Sequence, residues 1–552
     1  MSINHWFKSG TPWIWLNAGA VSISLFLVLS VLLLITVNGL AYFWPKNVIH
    51  IEYVGKNGEQ KQLAGEIYDQ EEVSAERLKN AGITDIDPNA KSYTRYLFKV
   101  GNRDISGADF VWVLKNKITK QDTPEQLMVV ERREWGNLYG YLQAVKENQQ
   151  MVAQGDTALP EFNKRMQRVQ DIFDDIEEIQ TSKIGSINFK IEKLRLKQRA
   201  LEYNNELTPE ILQSIKRERT ELNTVYKKLE TQLTTLFTAV NRDTYLVKLA
   251  NGHEAELPLS KVVTAYRPNE MNIFSKLLFY VNKIWRFLSE DPREANTEGG
   301  IFPTLFGTVL MVMLMSIIVT PLGVVAAVYL KEYAHQGLFT RMIRIAVNNL
   351  AGVPSIVYGL FGLGFFVYLL GGSIDRIFYP EVLPAPTFGT GGIMWASLTL
   401  AILTLPVVIV ATEEGLNRIP RSIREGSLAL GATKAETLWR TVIPMASPAI
   451  MTGMILAVAR AAGEVAPLML VGVVKLAPSL PLDGNFPFFH FDRKFMHLGF
   501  HIYDVGFQSP NVEAARPLVY ATAFLLVLVI VSLNLGAISI RNSLRNKYRS
   551  LN

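Results

Sequence analysis

Cysteine is absent from the 552-residue chain. That absence excludes disulfide bonds, thiolate metal sites, iron–sulfur clusters and cysteine nucleophiles. The chain also lacks the Gly-x4-Gly-Lys-Ser/Thr sequence of a phosphate-binding loop, so we do not expect it to hydrolyse ATP by itself. Charged residues are scarce, at 19%, whereas 49% of the residues are hydrophobic. A chain of this length and composition is typical of a protein that crosses a membrane.

The hydrophobic residues are concentrated in six long runs. The first, residues 13–44, is longer than the core of a signal peptide and has aromatic residues at both ends, where a membrane helix meets the headgroups. The other runs are each long enough to cross a bilayer core of roughly 30 Å, and they cover residues 301–330, 345–371, 391–412, 448–474 and 517–540. We therefore predict six membrane spans, with Pro354, Pro406 and Pro467 inside three of them.

The distribution of Lys and Arg between the runs predicts the orientation. The tail, residues 541–552, is basic and should be cytoplasmic; its cations are Arg541, Arg545, Lys547 and Arg549. Six spans place both termini on one side, so residues 1–12 should be cytoplasmic and residues 46–300 extracytoplasmic, in the periplasm. The net charge of +6 agrees with this, because residues 46–300 contain 37 basic and 38 acidic residues and the surplus lies in the predicted cytoplasmic parts.

Residues 46–270 read as a separate aqueous domain of α+β type. Short β-like stretches occupy residues 46–150 and 241–267, whereas apolar residues recur at three- and four-residue steps across residues 161–240. We predict a coiled-coil helical hairpin inserted into a discontinuous β domain, with Thr208-Pro209 at the start of its second helix. The hairpin serves either as a spacer or self-association rod, or as a docking arm for a partner.

Residues 272–290 have the amphipathic pattern of a helix that lies on a membrane surface. Taken with the spans, the sequence predicts an α-helical polytopic membrane protein with six transmembrane helices and an α+β extracytoplasmic domain.

One predicted cytoplasmic connection, residues 413–447, contains the most informative sequence. It reads as two short helical pieces joined at Gly431, the residue there that adopts a left-handed turn without steric cost, and ended before Pro444. A compact helix–turn–helix outside the membrane is either a knob that a soluble partner can bind or a simple loop.

This connection resembles the EAA loop of ABC importer permeases, in which a Glu-Ala-Ala triplet is followed by a glycine and then by Ile-Pro or Leu-Pro. Glu425, Gly431 and Pro444 occupy matching positions, whereas Gly426 and Ser427 replace the two alanines. The resemblance implies a coupling helix that enters a groove on a separate ATPase subunit. The residues that it assigns to this contact are Glu425, Gly426, Ser427, Gly431, Ala432, Ile443 and Pro444.

Four further motifs are similar to those of the PstA-type permeases of phosphate ABC importers. They are Glu-Gly-Gly-Ile at residues 298–301, Tyr-Leu-Lys-Glu-Tyr-Ala at 329–334, Gly-Val-Pro-Ser-Ile-Val-Tyr-Gly-Leu at 352–360, and Ala-Arg-Ala-Ala-Gly-Glu-Val-Ala-Pro-Leu at 459–468. The resemblance implies the type I ABC importer permease fold for residues 301–540 and transport of inorganic phosphate across the inner membrane. It does not cover the large insert before residue 298.

The same resemblance implies an assembly with a second homologous permease of PstC type, a PstB-type ATPase dimer and an extracytoplasmic phosphate-binding protein of PstS type. We expect ATP and magnesium to bind to the ATPase partner, and no cofactor to bind to this chain. We also expect no metal site, no catalytic residue and no nucleic-acid partner. We expect the insert to guide or gate access of the binding protein.

Arg460 and Glu464 are the candidate residues of the substrate path. Charges in the middle of a span are costly and usually face a bundle interior or a water-filled path. The two residues are four apart and share one helix face, and a guanidinium can donate two parallel hydrogen bonds to an oxyanion. The alternative is a permanent structural ion pair.

Other interpretations of the sequence concern a possible metal site and two other functions. His490, His497 and His501 cluster in one outward connection with Asp483, Asp492 and Asp504, but their spacing matches no standard metal site and solvated loop residues are the better interpretation. A membrane-anchored scaffold or sensor would need neither the charges in the span nor the helix–turn–helix. A permease for another oxyanion also stays open.

Overall fold

The computed structural model describes residues 9–55, 58–80, 90–101, 103–509 and 512–549. The chain divides into two compact units. The membrane unit comprises Met1–Phe43, Ile301–Asp483 and Phe489–Asn552, and the inserted unit comprises Trp44–Gly300 with Gly484–Phe488. Most of the predicted cytoplasmic N-terminus, residues 1–12, and the end of the predicted tail lie outside the described residues.

The helices are numbered in chain order. They are α1 (Thr11–Ala41), α2 (Ala75–Asn80), α3 (Arg103–Ser106), α4 (Ala158–Glu177), α5 (Gly185–Tyr203), α6 (Pro209–Val240), α7 (Ile273–Ser289), α8 (Phe302–Val328), α9 (Leu338–Leu350), α10 (Ser355–Phe361), α11 (Gly372–Phe378), α12 (Ile393–Asn417), α13 (Arg421–Ala429), α14 (Lys434–Thr437), α15 (Ile443–Gly463), α16 (Ala466–Val471), α17 (Leu498–Tyr503) and α18 (Val512–Arg549). Several are extended or joined by π-helical turns, at Glu178–Ile184, Tyr329–Tyr333, Gly362–Gly371, Leu438–Val442 and Asp504–Gln508.

All of the strands named for the described residues lie in the inserted unit. They are β1 (Ile49–Val54), β2 (Gln60–Ser74), β3 (Ser92–Lys99), β4 (Phe110–Leu114), β5 (Ile118–Asp122), β6 (Met128–Arg132), β7 (Asn137–Glu147), β8 (Gln150–Gln154), β9 (Asp243–Lys248), β10 (Glu254–Pro258), β11 (Val262–Tyr266), β12 (Pro292–Arg293) and β13 (Glu298–Gly299).

The prediction of six spans is confirmed, because the described residues contain six helices that are long and apolar enough to cross a membrane. They are Pro12–Ala41, Phe302–Tyr333, Ser355–Phe378, Ile393–Asn417, Lys434–Gly463 and Val512–Ser543. Helices α8, α12 and α15 supply most of the buried core of this unit, in which Met311, Leu400 and Ala461 are fully enclosed. The first predicted span was placed about three residues too late, since α1 ends at Ala41.

The predicted beginning of the third span, at residue 345, is wrong, because the spanning helix begins at Ser355. The chain forms a separate amphipathic helix, α9, and breaks at residues 351–354 before α10 begins. Pro354 precedes the first residue of α10 instead of lying inside a span, because the residue before a proline disfavours helix and proline fits a helix start. The apolar face of α9 made the two helices look like one run.

The fifth predicted span, residues 448–474, was wrong at both ends. Its helix begins at Lys434, runs through Pro444 and ends at Gly463. Glu464 then has an extended backbone (φ −81°, ψ 126°), and Pro467 belongs to the short helix α16. The prediction that the cytoplasmic helix ends before Pro444 is therefore incorrect. The π turn at Leu438–Val442 directly precedes Ile443, and a π turn alters the local hydrogen-bond ladder in which proline cannot donate.

The inserted unit contains two sheets of the same topology. The first has the strand order β4-β3-β2-β1-β5, and the second has the order β10-β9-β7-β6-β11, with β8 paired to β7. Each sheet has a single turn of 3-10 helix immediately before its last strand, at Lys115–Lys117 and at Leu259–Lys261. The strands therefore correspond pairwise, β1 to β6, β2 to β7, β3 to β9, β4 to β10 and β5 to β11.

The register of the strand pairs repeats as well. In the first sheet Ile49 lies opposite Gly65, and in the second Met128 lies opposite Gly140. The next pair in each sheet has a bulge at the equivalent place, between Ile67 and Asp69 and between Leu142 and Ala144. The sequence Tyr-Leu-Phe-Lys at residues 96–99 returns as Tyr-Leu-Val-Lys at 245–248. The unit is therefore an internal duplication of one five-stranded module.

The helical insertion lies between β8 and β9 of the second module, and at the equivalent place the described residues of the first module form the short helix α2. Its first arm comprises α4, a π turn and α5, and its second arm is α6, which begins as predicted with Pro209 after a Thr208 cap. The base of α4 packs on the sheet, with the Phe162 and Tyr245 rings 5.4 Å apart. Helical arms are thus confirmed for residues 161–240, whereas coiled-coil packing between them stays a prediction.

Candidate functional site

The predicted coupling connection forms a helix–turn–helix at the end of the membrane unit. Helix α13 ends at Ala429, and Gly431 adopts a positive φ of 88°. The amides of Gly431 and Ala432 donate to the carbonyls of Leu428 and Ser427, which closes the end of α13. The predicted left-handed turn at Gly431 is therefore present.

The second helical piece begins with a reciprocal cap. The amide of Glu436 donates to the Thr433 hydroxyl (3.2 Å), and the Glu436 carboxylate accepts from the Thr433 amide (2.9 Å). The hydroxyls of Ser427 and Thr437, 2.9 Å apart, join the two pieces. Local hydrogen bonds therefore define the shape of the loop without any partner.

Large apolar side chains are exposed on this loop, although most of its residues are polar or charged. The Leu430 side chain is 91% exposed and that of Trp439 is 74% exposed. Glu425, Gly426 and Gly431 are exposed beside them. The remaining predicted coupling residues Ser427, Ala432, Ile443 and Pro444 are half-buried. A projecting loop with exposed large apolar side chains is a surface that another protein can cover.

The loop is bound to the rest of the membrane unit through Glu332. The Arg424 guanidinium contacts the Glu332 carboxylate at 3.0 Å and also donates to the carbonyls of Leu416 and Ile419 at 2.8 Å. The Lys434 ammonium donates to the Glu332 carbonyl. Since Glu332 lies in the π turn after α8, and Leu416 lies at the end of α12, the contact joins the loop to the ends of two spans.

These linking residues were not singled out by the sequence. Residues 329–334 stand out in the sequence only as part of a family motif, and no local pattern distinguishes Arg424 from its neighbours. The signal that could have found them is the isolated acidic Glu332 in an otherwise basic connection. A buried or half-buried carboxylate needs a cation, and the connections on this side offer several.

The pair Arg460 and Glu464 is present, although not in the middle of a span. Arg460 lies in the last turn of α15 and Glu464 immediately follows that helix. The Arg460 Nε and a Glu464 carboxylate oxygen are 3.6 Å apart, with side chains 32% and 22% exposed. At that separation the ion pair is not a hydrogen bond. Within the described part of the chain, no hydrogen bond of the Arg460 guanidinium is found, so its donors are available to an anion.

Two of the family motifs meet at this break between α15 and α16. A Cβ on Gly359 would lie 2.6 Å from Pro467 Cα, so only glycine permits α10 to pack this closely on α16. Tyr358 lies within electrostatic reach of Arg460 and donates its hydroxyl proton to the Leu350 carbonyl at 2.7 Å. The motifs at residues 352–360 and 459–468 therefore form one structural neighbourhood around Arg460.

The three clustered histidines make separate contacts. His490 lies 3.0 Å from Asp483, which also contacts Arg493. The Nδ1 of His497 accepts from the Gly499 amide. His501 lies near Thr522, and Asp504 pairs with Lys475 at 3.0 Å. Among the residues that the structure describes, no group of three or more His, Asp or Glu side chains is placed to hold a metal ion.

Comparisons with known proteins give consistent relatives for the membrane unit. The chain matches the family described as "Binding-protein-dependent transport system inner membrane component" over residues 319–549. The phosphate transport system permease protein PstA 1 of Mycobacterium tuberculosis (strain CDC 1551 / Oshkosh) is 35% identical over 244 residues, covering 44% of this chain and 71% of that protein. The probable ABC transporter permease protein YqgI of Bacillus subtilis (strain 168) is 32% identical over 260 residues, covering 46% and 81%.

A solved structure of the MetNI methionine ABC transporter, in an inward-facing conformation, is similar to 48% of this chain and 98% of that chain, with 18% identity and a TM-score of 0.32. The family match begins at residue 319 and does not include the inserted unit.

Proposed function

Because the chain belongs to the family of binding-protein-dependent transport system inner membrane components, and is therefore the permease subunit of an ABC importer, we propose that it carries inorganic phosphate. The relatives named as phosphate permeases support this substrate. The observation that carries the proposal is the Arg460 guanidinium, half-buried at a break between two helices, with donors not engaged by Glu464. A guanidinium of this kind can bind two oxygens of a phosphate.

Glu464 has a defined role in this proposal. Its carboxylate lies 3.6 Å from Arg460 without a hydrogen bond, so it offsets the positive charge while leaving the donors free. When a phosphate approaches, the guanidinium can exchange the weak ion pair for charge-assisted hydrogen bonds, which are stronger. Arg460 would then bind substrate and Glu464 would position Arg460.

We further propose that the loop of residues 425–444 docks on a separate ATPase dimer, which holds ATP and magnesium. Leu430 and Trp439 supply an exposed apolar contact, and the Glu332–Arg424 contact transmits movement of the loop to the ends of α8 and α12. The spans would then expose Arg460 alternately to the two sides by rigid-body rocking. This mechanism uses a PstC-type second permease and a PstS-type binding protein, with both termini cytoplasmic and residues 46–300 periplasmic.

Arg460 variants test the substrate assignment. In cells that depend on this importer, Arg460→Ala should reduce uptake of labelled phosphate by about 100-fold, because a charged donor is lost from a half-buried site. Arg460→Lys should retain part of the activity, since it keeps the charge but not the two-donor fork. Glu464→Gln should change the apparent KM for phosphate more than the maximal rate.

The matched control is Arg376→Ala, which removes an exposed arginine from another helix of the same unit. Phosphate uptake that is equal in Arg460→Ala and Arg376→Ala, at equal amounts of membrane-inserted protein, would contradict the role of Arg460.

A further inference from the structure

Helix α7 exposes its apolar face and packs its polar face against the protein, which is the reverse of a surface helix in a soluble domain. The side chains that point away from the inserted unit are apolar and 51 to 74% exposed; we call them the outer face, and they are Ile273, Phe274, Leu277, Leu278, Val281 and Trp285. The side chains that point toward the unit include its three cations. The outer-face residues form a continuous apolar stripe that covers about two-fifths of the circumference of the helix. In water this stripe would be uncovered.

The opposite side of α7 is bound firmly to the inserted unit. The Lys283 ammonium pairs with the Glu131 carboxylate at 2.8 Å. The Phe279 ring lies 4.3 Å from that of Tyr266, and Phe287 is buried. The Arg286 side chain pairs with Glu290 at 2.6 Å. Rotation of the helix to hide its apolar stripe against the sheet would break the Lys283–Glu131 and Phe279–Tyr266 contacts.

The beginning of α7 is bound to the chain segment that leaves the first span. The Tyr280 ring lies 5.7 Å from that of Trp44. The Lys276 ammonium donates to the Asn47 side chain at 2.6 Å, and Asn269 hydrogen-bonds both the amide and the carbonyl of Val48. Trp44 is only three residues beyond Ala41, the last residue of α1, a distance of at most about 11 Å along the chain.

The end of α7 lies beside the residues that enter the second span. Strands β12 and β13 turn the chain back on itself, and the Gly300 amide donates to the Asp291 carbonyl at 3.0 Å. A Cβ on Gly300 would overlap the Glu290 carbonyl, so glycine is required there. Helix α8 begins two residues later, at Phe302. This close approach also explains the Glu-Gly-Gly motif at residues 298–300.

We propose that the outer face of α7 lies in the lipid surface of the membrane and holds the inserted unit at the bilayer. The residues that pack at the two ends of the helix, Trp44 and Gly300, are three and two residues along the chain from a span, so chain connectivity keeps α7 close to the membrane surface. Trp285 is the residue type that favours the depth where acyl chains meet headgroups, and the remaining outer residues supply apolar area. The lipid contact is nonspecific, because the cations of α7 are used within the protein.

The absence of cysteine makes a direct test possible, since a single introduced cysteine carries a single label. The full chain with Val281→Cys would be labelled with an environment-sensitive fluorophore and placed, with its co-purified subunits, in nanodiscs. Val225→Cys is the matched control, because it is an exposed valine on α6 of the same unit. Lipids with a nitroxide near the headgroup end of the acyl chain report contact with the membrane.

The proposal predicts at least threefold stronger nitroxide quenching at position 281 than at position 225. Adding Phe274→Glu and Leu278→Glu to the Val281→Cys chain should lower the quenching toward that of the control. Equal quenching at the two positions would overturn the proposal. So would a label at position 281 that is shielded from nitroxide lipids but crosslinks to another subunit, because the face would then be a protein interface.

Discussion

At the scale of single residues, the membrane unit and the inserted unit each contain a charge in an unusual setting. Arg460 and Glu464 could be predicted as a pair from their spacing, but their depth could not. The apolar sequence continues past Gly463, whereas the helix ends there, Glu464 has an extended backbone, and a new helix begins at Ala466 with Pro467 in its first turn. A charged pair at a helix end can be reached by water and substrate more readily than one in the middle of a span.

Glu298 is the second such charge, and it predicts a pH dependence. Burial raises its pKa to about 7, with the nearby carboxylates of Glu294 and Glu131 acting in the same direction and Lys99 and Arg293 opposing them. Because the ordinary value is 4.5, the folded state holds a proton between about pH 4.5 and 7 that the unfolded segment releases. The stability of the β12–β13 turn should therefore be highest below pH 4.5 and fall as the pH rises through 7.

Hydrogen exchange of residues 290–301 in the full chain, corrected for intrinsic rates, measures this effect. In the native protein the free energy of opening should fall by about 2 kcal/mol between pH 5 and 8. Glu298→Gln should remove most of that change, whereas Glu254→Gln, an exposed glutamate in β10, should leave it intact. A pH dependence that survives in Glu298→Gln would contradict the assignment.

At the scale of elements, local hydrogen bonds cap the two helices of the loop at residues 425–444, and Arg424 connects the loop to the ends of two spans. The turn at Gly431 could be predicted, since it depends on local sequence, and the Thr433 cap that follows it is a local feature of the same kind. The contact of Arg424 with Glu332 could not, because 92 residues separate the two side chains. Long-range pairs of this kind follow from packing and have no local signal.

Removing the guanidinium tests whether this contact transmits movement. In Arg424→Ala, the Glu332 carboxylate loses its cation and the Leu416 and Ile419 carbonyls lose a donor, which should cost on the order of 2 kcal/mol locally. We expect the assembled transporter to hydrolyse ATP while the phosphate carried per ATP falls severalfold. Measuring uptake and hydrolysis in the same proteoliposomes gives that ratio.

Arg418→Ala, an exposed arginine in the same connection, serves as the control for the loss of charge alone. Glu332→Gln and the double variant complete a cycle, and their effects should be clearly non-additive if the two side chains act through each other. If Arg424→Ala assembles normally and carries as much phosphate per ATP as the native protein, the contact is only structural.

The inserted unit shows a different limit of sequence prediction at this scale. Its helical arms could be predicted from periodicity, but the duplication could not, because a helical insertion separates β8 from β9 and only short sequences such as Tyr-Leu-Phe-Lys and Tyr-Leu-Val-Lys repeat. The duplication is recognised from the structure, because the strand pairings and the bulges recur at equivalent positions of the two modules. Strand β2 has fifteen residues, but its sequence is rich in Gln and Glu and gives little apolar alternation from which its length could be predicted.

At the scale of the whole molecule, six spans and a large insert could be predicted because both depend on composition over long windows. The positive charge surplus lies in connections that we propose to be cytoplasmic, around the loop that we propose docks on the ATPase. The duplicated modules and the helical arms then face the periplasm, where we propose that they guide the binding protein.

The central claim is that this chain is the permease of an ATP-driven phosphate importer. The most direct measurement is uptake of labelled phosphate by proteoliposomes containing the complex purified through this chain, with its binding protein added outside and ATP enclosed. The account predicts uptake that requires ATP and is suppressed by excess unlabelled phosphate but not by an equal excess of sulfate. Uptake that is independent of ATP, or suppressed equally by sulfate, would contradict it.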